Sequence, residues 1–205
     1  LLKGPTALPS LAAEMESSNV RSEEHEMSES SSKYGILVAV DGSPESDAAL
    51  RWAAAEAVMR AAPVTLVNVI APVVVTWPVG YLQASYDQSQ EDNARNVIEL
   101  ALKIARDATG GSDLNIQTEV RHGGVLTELV HASSGAAMTV VGSRGFGAIA
   151  GSVLGSISRG LLHYGHGPVA VIRPEGHVAP SAPVLLGIDG SPASEPATAL
   201  AFDEA

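Results

Sequence analysis

Short apolar runs rich in β-branched residues alternate along this chain with longer stretches whose apolar positions recur every three to four residues. Ile36–Val40 is the first such run. It stops at Asp41, Gly42, Ser43 and Pro44, a strand end followed by a helix-entry turn in which Ser43 caps and Pro44 takes the first helical position. Ala48, Ala49, Trp52, Ala53, Ala55 and Ala57 continue an alanine-rich helix to about Ala62, with Glu45, Arg51 and Glu56 on its polar side. Val64–Ile70 reads as a second buried strand, and the proline-rich loop after it carries Trp77 and Tyr81, which suit a lid. Asp87–Thr109 holds Ala94, Val97, Ile98, Ala101, Leu102 and Ala105 at helical spacing and closes on Gly110 and Gly111. Leu114–Val120 alternates as a third strand, Gly123 and Gly124 open a helix bearing Leu126, Leu129 and Val130, and Ala137–Val141 is a fourth strand running into Gly142. A glycine-rich loop, a helix over Ser156–Tyr164 and a fifth strand over Pro168–Ile172 complete the pattern.

Strands alternating with helices imply right-handed crossovers, and hence an α/β fold: a five-stranded parallel sheet with helices on both faces. The order 3-2-1-4-5 puts the carboxyl ends of strands one and four side by side, where strand order reverses and such sheets bind ligands. The segment Val184–Pro192 repeats the character of Ile36–Pro44, with Asp189, Gly190 and Ser191 answering Asp41, Gly42 and Ser43. Glu195, Ala197 and Ala201 keep the register of Asp47, Ala49 and Ala53. The expected organisation is a disordered Ser/Glu-rich leader over 1–32, a complete domain over 33–174, a linker over 175–183, and over 184–205 the truncated start of a second copy. One strand and one helix are too little to build a separate core, so one ligand site per chain is expected.

Charge and composition remove several classes of function. The 205 residues hold 12 Lys+Arg against 23 Asp+Glu, a formal net charge of −11, which argues against a nucleic-acid groove built on clustered cations. Cysteine is absent, which excludes disulfides, thiolate metal sites and Cys nucleophiles and permits a reducing cytoplasmic setting. The uncharged run from Ala61 to Tyr86 is long enough to raise the question of a membrane span, but Pro63, Pro72 and Pro78 interrupt it. No membrane contact is expected.

Two features carry chemistry: Asp41 at the first strand end, and the loop from Gly142 through Gly145 to Gly155 and Ser156. A loop that wraps phosphates aims backbone N–H groups inward and lets its backbone come close, which Cβ atoms would hinder. The amides of Ser156 and Ile157 and the Ser156 hydroxyl stand at the positive end of a helix, where an anion is favoured. A strand-end carboxylate such as Asp41 complements them by accepting hydrogen bonds from ribose hydroxyls, so a nucleotide is the natural ligand. Neither GxxxxGKS/T, GxGxxG after the first strand, nor GxSxG occurs, which removes the P-loop, the dinucleotide fingerprint and the hydrolase elbow.

The spacing G-x2-G-x9-G-S over Gly142, Gly145, Gly155 and Ser156, joined to the early Val38–Ser43 segment, resembles the universal stress protein family, over roughly Lys33–Pro174. The repeat resembles its tandem actinobacterial members. The resemblance implies a Rossmann-like fold akin to the adenine nucleotide alpha hydrolases and membership of the ATP-binding branch. It implies ATP with Mg²⁺ held mainly through the phosphates, a stress-response regulatory role with slow or no hydrolysis, and homodimers paired through strand 168–172. By the same resemblance, Asp41 is the ribose and adenine-side carboxylate, Ala39 lines the pocket, Val69 reads adenine through its backbone, and Gly142 is the ribose-side glycine. Gly145 and Gly155 become phosphate-loop glycines, and Ser156 with Ile157 the anion site. No catalytic residue and no protein metal ligand is assigned. Arg144 and Arg159 are open between added phosphate charge and solvated surface. His163 and His166, three apart, suit a surface or packing role better than a metal, His122 is expected in a loop, and Trp52 and Phe146 suit packing. Two competing classes remain: a nucleotidyl-transfer or ATP-hydrolysing enzyme, and a nucleotide-free interaction module with a structural glycine loop.

Overall fold

The computed structural model describes residues 32–72, 80–145, 153–174 and 182–205. Five strands, β1 (Ile36–Ala39), β2 (Val64–Ile70), β3 (Ile116–His122), β4 (Met138–Gly142) and β5 (Val169–Ile172), form a parallel sheet in the order β3-β2-β1-β4-β5. The chain builds outward from β1 to β3, then crosses back to place β4 on the free side of β1. That reversal sends the connections after β1 and β4 to opposite faces of the sheet and opens a crevice at their carboxyl ends.

The helices are α1 (Pro44–Met59), α2 (Gly80–Ala108), α3 (Val125–Ser133) and α4 (Ser156–Tyr164); α1 packs with α2, and α3 with α4. Alternation along the strands divides the core between two faces. Leu37, Val67 and Val141 cluster with Leu129 and Ala132 of α3 and Leu161 of α4. Ile36, Val38, Leu66 and Val140 point the other way, where Ala49, Leu50, Ala53 and Ala57 supply the buried stripe of α1. Small alanines let α1 lie close to the sheet, so burial here is broad but shallow per residue.

Several local expectations are corrected. Glu56, expected on the polar side of α1, is buried and ion-paired with Arg60, because its position three residues after Ala53 falls on the apolar stripe. Helix α1 ends at Met59 rather than near Ala62, and the Arg60 N–H bonds back to the Glu56 carbonyl at 2.9 Å. Helix α2 starts at Gly80, seven positions before the expected Asp87, so Tyr81 lies in a helix and not in a lid loop. Its first turns follow a proline-rich stretch and lack the sustained three-to-four spacing of apolar residues seen from Ala94 onward. Trp77 and Phe146 lie outside the described residues. Strand β3 runs two residues further than expected, to His122, which pairs with Glu91 of α2 at 2.6 Å instead of sitting in a loop.

The expected leader, 1–32, lies outside the described residues apart from Ser32, as does the linker, 175–183, apart from Ala182 and Pro183. The chain divides into two compact units, Leu1–Pro174 and Glu175–Ala205. In the second, a 3-10 turn, Pro192–Ser194, leads into α5 (Glu195–Asp203), which buries none of its described side chains. Residues 182–189, expected to include a strand, join no ladder, since strand hydrogen bonds must come from neighbouring strands. No helix among the described residues is long and apolar enough to cross a membrane.

Candidate functional site

Asp41 sits just beyond β1, where the backbone is still tied to β2: Val40 N–H donates to the Val67 carbonyl at 2.9 Å and Asn68 Nδ2 donates to the Val40 carbonyl at 2.7 Å. Asp41 Oδ1 accepts from Ser43 N–H at 2.9 Å and from Ser43 Oγ at 2.6 Å. Ser43 Oγ in turn accepts from Ser46 N–H at 3.2 Å, capping α1 as its sequence indicates. The strand end, the carboxylate and the helix cap are one hydrogen-bonded unit, so the sequence Asp-Gly-Ser-Pro fixes the direction of Asp41 locally.

On the other side of the crevice, β4 ends in Gly142. A Cβ on Gly142 would lie 2.7 Å from the Glu45 carbonyl carbon and 2.8 Å from its oxygen, so the first turn of α1 reaches β4 only because no side chain intervenes. Glycine 142 thus has a packing reason as well as the expected ligand reason. A Cβ on Gly145 would stand 2.5 Å from Asp41 Oδ2, which places the loop backbone directly against the carboxylate. Gly155 differs. Its φ of −72° is ordinary and, among the described residues, a Cβ there would meet nothing nearer than 3.4 Å.

Ser143 joins the two flanks of the glycine loop. Its N–H donates to the Ile172 carbonyl at 2.7 Å, and its carbonyl accepts from Gly155 N–H at 2.7 Å and from Ser158 Oγ at 3.1 Å. Helix α4 therefore begins beside the end of β4, with its N-terminal amides at the crevice rim. Arg144, next to this knot, pairs with Glu45 at 3.3 Å. Asp47, one turn into α1, is held above the usual carboxylate range by partial burial, with Arg51 pulling it down and Asp41 pushing it up.

All eight residues singled out from the sequence, Ala39, Asp41, Val69, Gly142, Gly145, Gly155, Ser156 and Ile157, line one crevice of about 490 Å³. Val67, Val69, Val125, Leu129, Leu154 and Ile157 contribute apolar lining, and Asp41, Ser46, Arg144, Ser156, Ser158 and Arg159 polar lining. Sequence reasoning placed Leu129 on the α3 helix but assigned no site role to it, to Val125 or to Ser158. The pattern placed Leu129 on an apolar helix face, and only the packing of α3 across β1 and β2 turns that face toward the crevice. His163 and His166 do not line it, and no cluster of three His, Cys, Asp or Glu side chains suited to a metal occurs among the described residues.

A parallel sheet in the order β3-β2-β1-β4-β5 with a crevice at its switch point defines a doubly wound α/β domain. Residues 35–173 match the model of the universal stress protein family, and the chain belongs to that family. It is 54% identical over 182 residues to a universal stress protein of Mycolicibacterium smegmatis, a match covering 87% of this chain and 62% of that relative. The fold is similar to that of the universal stress protein UspA from Lactobacillus plantarum, with a TM-score of 0.60 at 20% identity over 68% of this chain and 97% of that one. It is also similar to the universal stress protein from Archaeoglobus fulgidus solved in complex with dAMP, with a TM-score of 0.50 at 21% identity over 68% of this chain and 98% of that one.

Proposed function

We propose that this chain binds ATP in the crevice at the carboxyl ends of β1 and β4 and acts as a nucleotide-dependent regulatory module of the cytoplasmic stress response. The observation that carries the reading is the convergence of Asp41, the loop glycines and the α4 N-terminus on one crevice that also has apolar lining. Such a lining suits an amphiphilic ligand with a flat base, a sugar and an anionic tail. Asp41 accepts from the ribose hydroxyls, and the Val69 backbone and the Val125 and Leu129 side chains face the base. Gly142, Gly145 and Gly155 admit the sugar and phosphates, and the Ser156 and Ile157 amides meet the anionic end. Gly155 supports this: the described protein atoms leave room for a Cβ there, so ligand approach is a sufficient reason for glycine. The dAMP complex of the Archaeoglobus fulgidus relative adds that this fold admits an adenine nucleotide.

Mg²⁺ rides on the phosphates in this reading. Asp41 is the one carboxylate among the described lining residues and is already engaged by Ser43, which supports retention of nucleotide with slow or no hydrolysis. Edge strand β5, half-buried along Val169–Ile172, is the expected seam of a homodimer. Residues 184–205 are read as the beginning of a second domain of the same kind, and the chain spans 62% of the length of the Mycolicibacterium smegmatis relative.

The test is extraction and identification of nucleotide from the freshly purified chain, beside the Gly145→Ala variant. ATP or its products are expected from the natural sequence and depleted in the variant, whose new methyl displaces the Asp41 carboxylate. Equal nucleotide content in both would contradict the site, and rapid turnover of added ATP would contradict the retention role.

A further inference from the structure

Glu45 and Arg144 meet at the crevice rim under unusual constraint. Glu45 stands in the first turn of α1, with its backbone pressed so closely on Gly142 that a Cβ there would lie 2.7 Å from the Glu45 carbonyl carbon. Arg144 follows Ser143, whose backbone is bonded on both sides, to Ile172 at 2.7 Å and to Gly155 at 2.7 Å. The two backbones are thus brought near one another, and the side chains make the contact between them. Arg144 Nη2 lies 3.3 Å from Glu45 Oε1, with side chains 32% and 18% exposed. Charge-assisted bonds of this type are usually shorter, about 2.7–2.9 Å, and the strong ones are bidentate. This contact is longer. Arg144 also lines the crevice, and its Cα stands 3.4 Å from where a Gly155 Cβ would be, beside the N-terminus of α4. A partly exposed cation is therefore paired with a carboxylate within the region where the anionic end of the ligand is expected.

We infer that Glu45 and Arg144 form an exchangeable ion pair that sets how strongly the crevice distinguishes nucleotides by phosphate number; this rests on the nucleotide reading given above. In the empty crevice, Glu45 holds Arg144. A polyphosphate, with more charge and more acceptor oxygens than one carboxylate, draws the guanidinium away, because guanidinium recognises phosphate in the same forked geometry as carboxylate. Part of the attraction between Arg144 and phosphate is spent on breaking the pair. Glu45 thereby tempers the preference for ATP over adenosine without touching the ligand, and is a positioning residue that acts through Arg144.

Titration calorimetry with adenosine, AMP, ADP and ATP on the full chain tests this in four forms: the natural sequence, Glu45→Gln, Arg144→Gln and the double variant, each checked by its melting curve. Glu45→Gln is expected to tighten ATP binding about three- to fivefold, within the range of an ion pair of this exposure. Adenosine binding should change less than about twofold. Arg144→Gln weakens ATP more than adenosine, and in that background Glu45→Gln has no further effect on ATP. Unchanged ATP affinity in Glu45→Gln overturns the inference, as does equal tightening with and without Arg144, which would mark simple repulsion of phosphate by Glu45. Failure of the natural chain to bind any of the four ligands would instead sink the nucleotide reading, and the inference with it.

Discussion

Gly142 and Gly155 belong to one motif but lack side chains for different physical reasons. At Gly142 a methyl group would collide with the Glu45 backbone, so Gly142→Ala should cost about 1–3 kcal/mol of overpacking, read as a lowered denaturant midpoint of the ligand-free chain. Gly155 has room, and Gly155→Ala should cost no more than about 1 kcal/mol, from a poorer helix cap, while nucleotide affinity falls. Equal destabilisation by the two would contradict this division. Asp47 offers a pH test of the same region. Because burial raises its pKa in the fold, its protonated form is favoured. Its contribution is complete below the unfolded carboxylate pKa and is lost as pH rises through the raised value. Asp47→Asn should flatten that part of the stability profile between about pH 3 and pH 6, an effect kept small by solvent screening. The position of Asp41 was legible in the sequence because a strand end and a serine cap fix it within six residues. The Glu45–Arg144 pair was not, since it joins two segments that meet only when β4 is laid beside β1.

At the scale of elements, the strands followed from alternation, and the sheet order matches the expectation. The early start of α2 was hidden because its first turns lack the sustained three-to-four spacing of apolar residues seen from Ala94 onward. The anchoring of α3 was hidden as well. Arg121 on β3, its side chain 10% exposed, reaches the Glu128 carbonyl at 3.2 Å, the Glu128 carboxylate at 3.5 Å and the Tyr34 hydroxyl at 2.7 Å. Glu119 adds a contact at 3.1 Å. This clamp fixes the first turn of α3, whose Val125 and Leu129 form part of the apolar lining of the crevice. Truncation by Arg121→Ala leaves Glu128 without its cation and should cost about 1–3 kcal/mol, measured by denaturant unfolding. A loss under 0.5 kcal/mol, the usual scale of a surface substitution, would show that the clamp is dispensable.

For the whole molecule, the turn at Asp189 shares its local geometry with the turn at Asp41. Asp189 Oδ1 accepts from Ser191 N–H at 2.9 Å, as Asp41 Oδ1 does from Ser43, and Gly190 and Gly42 have φ values of 78° and 82°. The turn forms in both places because its bonds are local, whereas the strand before Asp189 finds no ladder. Local chemistry thus repeats faithfully, and sheet structure depends on the neighbours present. Edge strand β5 poses the same question between chains. A dimer across Val169–Ile172 should appear in sedimentation at micromolar concentration and be lost when Val171, half-buried on that strand, is replaced by Lys. A dimer insensitive to Val171→Lys would place the seam elsewhere.

The central claim is that one crevice, assembled from Asp41, the glycine loop and the α4 N-terminus, binds ATP. Titration calorimetry of the full chain with ATP and Mg²⁺, in parallel with Asp41→Ala and Gly155→Ala, tests it most directly. Saturable binding near one ATP per chain, weakened at least tenfold (about 1.4 kcal/mol) in each folded variant, is the result the structure leads us to expect. No binding to the folded natural chain, or binding that both variants retain in full, would contradict it and leave the glycine loop a structural element.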